Sequence, residues 1–176
     1  MGTSGIRLLR AVLTASDATV EFVGRKASWL LFALIIIIVY SVIARYVFAA
    51  PPRWSYDMSF MLGATAAAVG LSYVHLFRSH VKVDFIVSKL PQRARLGLEL
   101  LFTVVFFFPL IVVIFHSSVV VAVQSWISGE VSSLSYWEPP MFPLRAAIAV
   151  ALFFLALQGT ANFIRDLYMF VTGRRL

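Results

Sequence analysis

Cysteine is absent, so neither a disulfide framework nor a thiolate metal site is open to this chain. Charge is scarce: 13% of residues are Asp, Glu, Lys or Arg, about half the share usual in soluble domains. Acidic residues are scarcer still, 8 against 15 basic ones. None lies in the central part of a long apolar run. A chain that carries ions or charged substrates through its own core usually keeps a carboxylate at mid-membrane, because a charge that costly persists there only for function. Convergent titratable groups of the kind catalysis needs are also missing. The expectation is a protein that is not an enzyme, with no cofactor and no bound metal.

What the sequence has in quantity is apolar mass. Of 176 residues 61% are hydrophobic, and the mean hydropathy is +0.90. So little polar surface cannot cover a soluble globule. A bilayer core about 30 Å thick takes roughly 20 apolar helical residues to cross. Four runs qualify: Ala27 to Phe48, Met58 to Phe77, Leu100 to Ile127, and Ala146 to Ile164. Runs such as Leu34 to Val39 do not alternate as barrel strands would, and lipid leaves helices as the other way to satisfy the backbone. The expected fold is therefore all-α: four transmembrane helices over about residues 27–48, 57–77, 96–127 and 143–168. The third run exceeds what a bilayer requires, which implies tilt or a bend, with Pro109 placed to kink it. The fourth is interrupted by Gln158 and Asn162.

The net charge of +7 would suggest nucleic acid in a soluble protein. Here the basic residues sit in short clusters between the apolar runs, which points to topology and anionic lipid instead. Twelve of them precede the first span, lie between spans two and three, or close and follow the fourth. Only Arg45, Arg53 and Arg145 fall on the other side. The positive-inside rule then places both termini in the cytoplasm. Residues 1–26 carry too long a charged lead for a signal peptide, with Asp17 and Glu21 inside it. Leu9, Val12, Leu13, Val20 and Val23 recur near helical spacing, which favours an N-terminal amphipathic helix on the inner surface over a disordered tail. Residues 27–171 would form the transmembrane domain and 172–176 a cytoplasmic tail.

A few residues stand out for their chemistry. His75 is expected near the inner face and His116 in the outer half of the membrane, too far apart in depth to share a haem or a metal. His116 is better read as bonding to a neighbouring helix. Arg45 and Asp57 flank a tight first loop; either they pair or each snorkels to the interface. Gly63, Ala66, Ala67 and Gly70 form small-xxx-small faces, for packing inside the bundle or against a partner. His80 and Asp84, four apart, supply only two ligands, so a hydrogen-bonded turn is preferred to a metal pair. The third loop, Ser128 to Phe142, carries Gly129, Glu130, Glu138 and Pro139-Pro140 and should face outward.

Several of these elements together resemble the small membrane subunit of tripartite ATP-independent periplasmic (TRAP) transporters, the DctQ-like family. The elements are Arg45-Tyr46-Val47-Phe48, then Pro52, Trp54 and Asp57, then His80-Val81-Lys82-Val83-Asp84 with Leu90-Pro91, and finally Pro143 and Gln158. Asp57 stands where the family more often has Glu, and the shorter side chain weakens a pairing with Arg45. The resemblance implies a scaffold in the bacterial inner membrane, bound to a large membrane subunit that carries sodium and an organic acid. It also implies a periplasmic binding protein, for which Arg53, Glu130 and Glu138 are candidate docking residues. Arg45, Trp54, Asp57, His80 and Asp84 are the motif residues; membrane lipids are partners and nucleic acid is not. The competing reading is a small oligomeric transporter or channel that works alone.

Overall fold

The computed structural model describes residues 3–77 and 91–173. Its elements are α1 (Thr3–Tyr46), α2 (Ser55–Leu76), α3 (Gln92–Phe102), a π-helical turn (Thr103–Phe107), α4 (Phe108–Ser128) and α5 (Phe142–Thr172). Four helical segments are long and apolar enough to cross a membrane: Arg10–Tyr46, Ser55–Leu76, Arg93–Ser128 and Phe142–Thr172. Each overlaps one of the four expected spans, the first two of which run on past the helix ends at Tyr46 and Leu76, and no strand occurs among the described residues.

The N-terminal segment is helical, but it is continuous with the first span. At 1.5 Å per residue the 44-residue α1 is roughly 66 Å long, about twice a hydrocarbon core. Nothing between Arg25 and Ser28 breaks it, since these residues include neither proline nor an αL position. Leu13, Ser16, Val20 and Gly24 form its buried stripe. These positions recur at helical spacing and pack on other helices of the bundle, while Val12 is exposed.

The third membrane helix is α3, the π turn and α4 in sequence. Pro109 has no N–H to give, and its ring would crowd the carbonyl four residues back. The chain absorbs this in the turn before it, where the Phe108 N–H reaches Thr103 O, five residues away. The expected disturbance at Pro109 is thus a π turn. Helix α5 is the hub: it packs against α1, α2, α3 and α4, and α1 packs most extensively on α2.

Two glycines let helices touch. A Cβ on Gly24 would lie 2.2 Å from the Tyr73 ring, and one on Gly159 would lie 2.2 Å from Phe107. The small-residue faces of α2 are looser. A Cβ on Gly63 would meet Leu34 at an ordinary 3.7 Å, and Gly70 has nothing within 4 Å.

Candidate functional site

Most of the side-chain hydrogen bonds between elements gather at the two ends of the bundle. At the loop end, Trp54 caps α2 and stacks on Tyr40 of α1, with ring centroids 5.9 Å apart. Ser55 donates to Pro52 O at 2.9 Å and lies 3.0 Å from Ser41 Oγ. Aromatic stacking and these two bonds fix the Pro51-Pro52 turn against α1. Asp57 follows in the first turn of α2, where the helix dipole favours a negative charge.

Asp57 is 1% exposed, and its partners come from the third loop. Ser132 donates to one carboxylate oxygen at 2.5 Å and Ser135 donates to the other. Each serine oxygen also accepts a backbone N–H, from Leu134 at 3.2 Å and from Trp137 at 3.1 Å. The loop closes on itself through Ser132 N–H to Pro139 O at 2.8 Å and Met141 N–H to Glu130 O at 2.9 Å. One carboxylate thus clips a short hairpin, Val131 to Pro140, onto the start of α2.

Arg45 does not pair with Asp57. It is exposed in the last turn of α1, where a positive charge suits the negative end of the helix dipole, and it makes no ion pair with any described residue. The serines satisfy Asp57 instead. Among the expected docking residues, Arg53 and Glu138 are exposed, whereas Glu130 is bound to Arg145 at the start of α5. Glu138 sits at a positive φ of 47°, at the turn of the hairpin.

At the terminal end, α1 and α5 are joined by a second cluster. Arg165 donates to Asp17 at 2.6 and 3.1 Å and to Leu13 O at 3.2 Å. Gln158 donates to Asp17 at 3.0 Å; its side chain is wholly buried and its Oε1 has no partner among the described residues. Asn162 donates to His75 O at 3.0 Å, and Ser72 donates to Ala151 O at 2.9 Å, tying α2 to the same helix. Gln158, Asn162 and Arg165 follow at i, i+4 and i+7, so they share one face. The sequence signal for this cluster was the pair of amides four apart in an apolar run, with an acid at the matching level of the N-terminal helix. Nothing in the pattern marked Ser132 and Ser135.

His75 stacks flat on Phe107, with centroids 5.2 Å apart and planes at 5°. His116 is exposed on α4 and makes no hydrogen bond, ion pair or ring contact with any described residue. His80 and Asp84 lie outside the described residues. Both end clusters hold helices and loops in place, and neither presents the convergent titratable groups of a catalytic centre. No group of three or more metal-ligating residues occurs among the described residues.

A family model described as tripartite ATP-independent periplasmic transporters, DctQ component, matches residues 34–168. No curated protein matches the chain.

Proposed function

The chain belongs to the DctQ family, the small component of TRAP transporters, and on that premise we propose that it is a non-catalytic scaffold for a sodium-coupled importer of an organic acid. The family is a transporter component and not an enzyme. The observation that carries the scaffold reading is how the polar groups within the helices are used. Ser72, Gln158 and Asn162 bond helix to helix, and the acidic residues Asp57 and Glu99 stand away from the centres of the apolar runs. Among the described residues no carboxylate stands at mid-span to relay a cation, and the unbonded His116, Ser117 and Gln124 lie on the outer side of their helix, away from the bundle interior. Transport would then lie in the large membrane subunit, with the small one bracing it.

In this reading the protein is multi-pass in the bacterial inner membrane with both termini cytoplasmic. The clipped hairpin faces the periplasm, where a substrate-binding protein docks. The test is isolation of a tagged chain from its native membranes in mild detergent. A large polytopic subunit is expected to come with it in fixed ratio. A pure homo-oligomer in several mild detergents would favour the self-sufficient transporter instead. Glu138→Lys is the cleaner docking probe, because Glu138 is exposed whereas Glu130 is bound to Arg145. Weaker affinity for the binding protein is expected, and unchanged affinity removes Glu138 from the docking surface.

A further inference from the structure

The outward side of α4 does not suit lipid. Ile111, Ala122 and Ser125 are buried and mark the side of α4 that packs into the bundle. Diametrically opposite, at 3.6 residues per turn, His116, Ser117, Val120 and Gln124 fall within an arc of about 100°. All four are exposed. His116, Ser117 and Gln124 make no hydrogen bond or ion pair with any described residue. His116 lies twelve residues before the end of α4 at Ser128, so roughly 18 Å along the helix axis and well within a 30 Å core. Hydrocarbon offers an imidazole or a hydroxyl no partner there.

The other large exposed surface is different in kind. On α1, Phe32, Ile35, Ile36, Val39, Val42 and Ile43 are exposed and wholly apolar. The polar Ser41 in the same stretch is bonded to Ser55. On α5 the exposed Thr160 turns its hydroxyl onto Ala156 O. Apart from the span ends, where Trp29 lies, and Tyr40, which stacks on Trp54 of the first loop, the exposed α1 and α5 span surfaces are apolar or bonded to their own backbone, whereas α4 leaves three polar side chains on one face.

We propose that the His116–Ser117–Val120–Gln124 face of α4 seats a transmembrane helix of the large TRAP subunit, one that presents hydrogen-bonding side chains, while the α1 face meets lipid. The proposal rests on the scaffold reading above. A polar side chain in a bilayer is satisfied most directly by another helix, and the scaffold reading supplies a membrane-embedded partner.

The absence of cysteine makes the test clean. V120C and I36C, each carrying a thiol-linked photocrosslinker, are compared in the complex isolated with its large subunit. At least about fivefold more large subunit is expected to be crosslinked from position 120 than from position 36. Equal or greater yield from position 36, or a product from position 120 that joins two copies of this chain, overturns the assigned face and leaves the scaffold reading standing. Failure of the unmodified chain to bring down any large subunit overturns both. In parallel, H116L/Q124L is expected to weaken retention of the large subunit roughly fivefold to tenfold, as two lost interhelical bonds imply, at unchanged helical content. Retention at the unmodified level in that variant also overturns the proposal.

Discussion

At the scale of single residues, Asp57 has the most to lose. It is nearly fully buried, and both oxygens are held by serine hydroxyls that in turn hold the hairpin backbone. Asp57→Ala removes two acceptors at once and leaves Ser132, itself buried, without its carboxylate partner. The expected cost is roughly 1–3 kcal/mol, the usual range for unsatisfied buried groups. The local effect should exceed the global one: faster proteolysis within residues 131–140 than in the helices, read by mass spectrometry of the fragments. Arg45→Ala should leave that loop unchanged, because the guanidinium is exposed and makes no bond to the hairpin or to any other described residue. Equal loop cleavage in the two variants would show that Asp57 is not the clip. Sequence reasoning found the acid and its place at the mouth of α2, and left it either a pairing with Arg45 or separate snorkelling to the interface; the structure shows neither, since Asp57 is buried on two serines. Opposite charges in adjacent motifs are visible in a sequence. Two serines 75 and 78 residues away are not, because nothing local distinguishes them from other loop serines.

At the scale of helices, the spans were legible because the length of an apolar run needs no tertiary information. The crossings were not. Small residues at four-residue spacing on α2 drew attention, yet the tight approaches are at Gly24 and Gly159, each isolated in its own helix and meaningful only through the ring opposite. Gly159→Ala would put a methyl 2.2 Å from Phe107, whose ring is held by stacking on His75 and by an edge contact with Phe108. Overpacking of this kind costs about 1–3 kcal/mol. Unfolding in mixed micelles should show that loss, and F107L in the same chain should recover much of it. No loss in the single variant would mean that the two helices separate easily. The packing of α1 on the rest of the bundle has two parts that can be ranked. Leu13 and Val20 are buried where α1 extends past a bilayer's thickness, and each contributes roughly 1.5–3 kcal/mol. The Asp17–Arg165 pair, with side chains 32% and 24% exposed, falls nearer the 1 kcal/mol of surface pairs. Apolar contact therefore supplies most of the adhesion, and the ion pair sets register. Asp17→Ala should nonetheless destabilise more than Arg165→Ala. It strips the wholly buried Gln158 of its single hydrogen bond, whereas losing Arg165 leaves that bond intact. The reverse order in the same unfolding assay would contradict this.

At the scale of the whole molecule, the four helices form a bundle in which α5 touches all the others and much apolar surface on α1 and α4 is left outside. A protein that moved substrate through itself would be organised the other way, with a polar passage at the centre lined by groups free to bind and release. Here the central helix carries the most committed polar groups of the chain: Gln158, Asn162 and Arg165 are each bonded across to α1 or α2. Opening a path along α5 would break those bonds and leave Gln158, already short of one partner, with none. The arrangement suits a brace that holds its shape while another subunit moves. The purified chain alone in liposomes should therefore show no uptake of organic acid above protein-free vesicles under an inward sodium gradient, and no sodium-dependent current. Liposomes that also contain the large subunit, supplied with the binding protein and substrate outside, should show both uptake and sodium dependence. Saturable uptake by the chain alone would mean that these cross-helix bonds break and re-form during a cycle, and the scaffold reading would have to be abandoned for a small autonomous carrier.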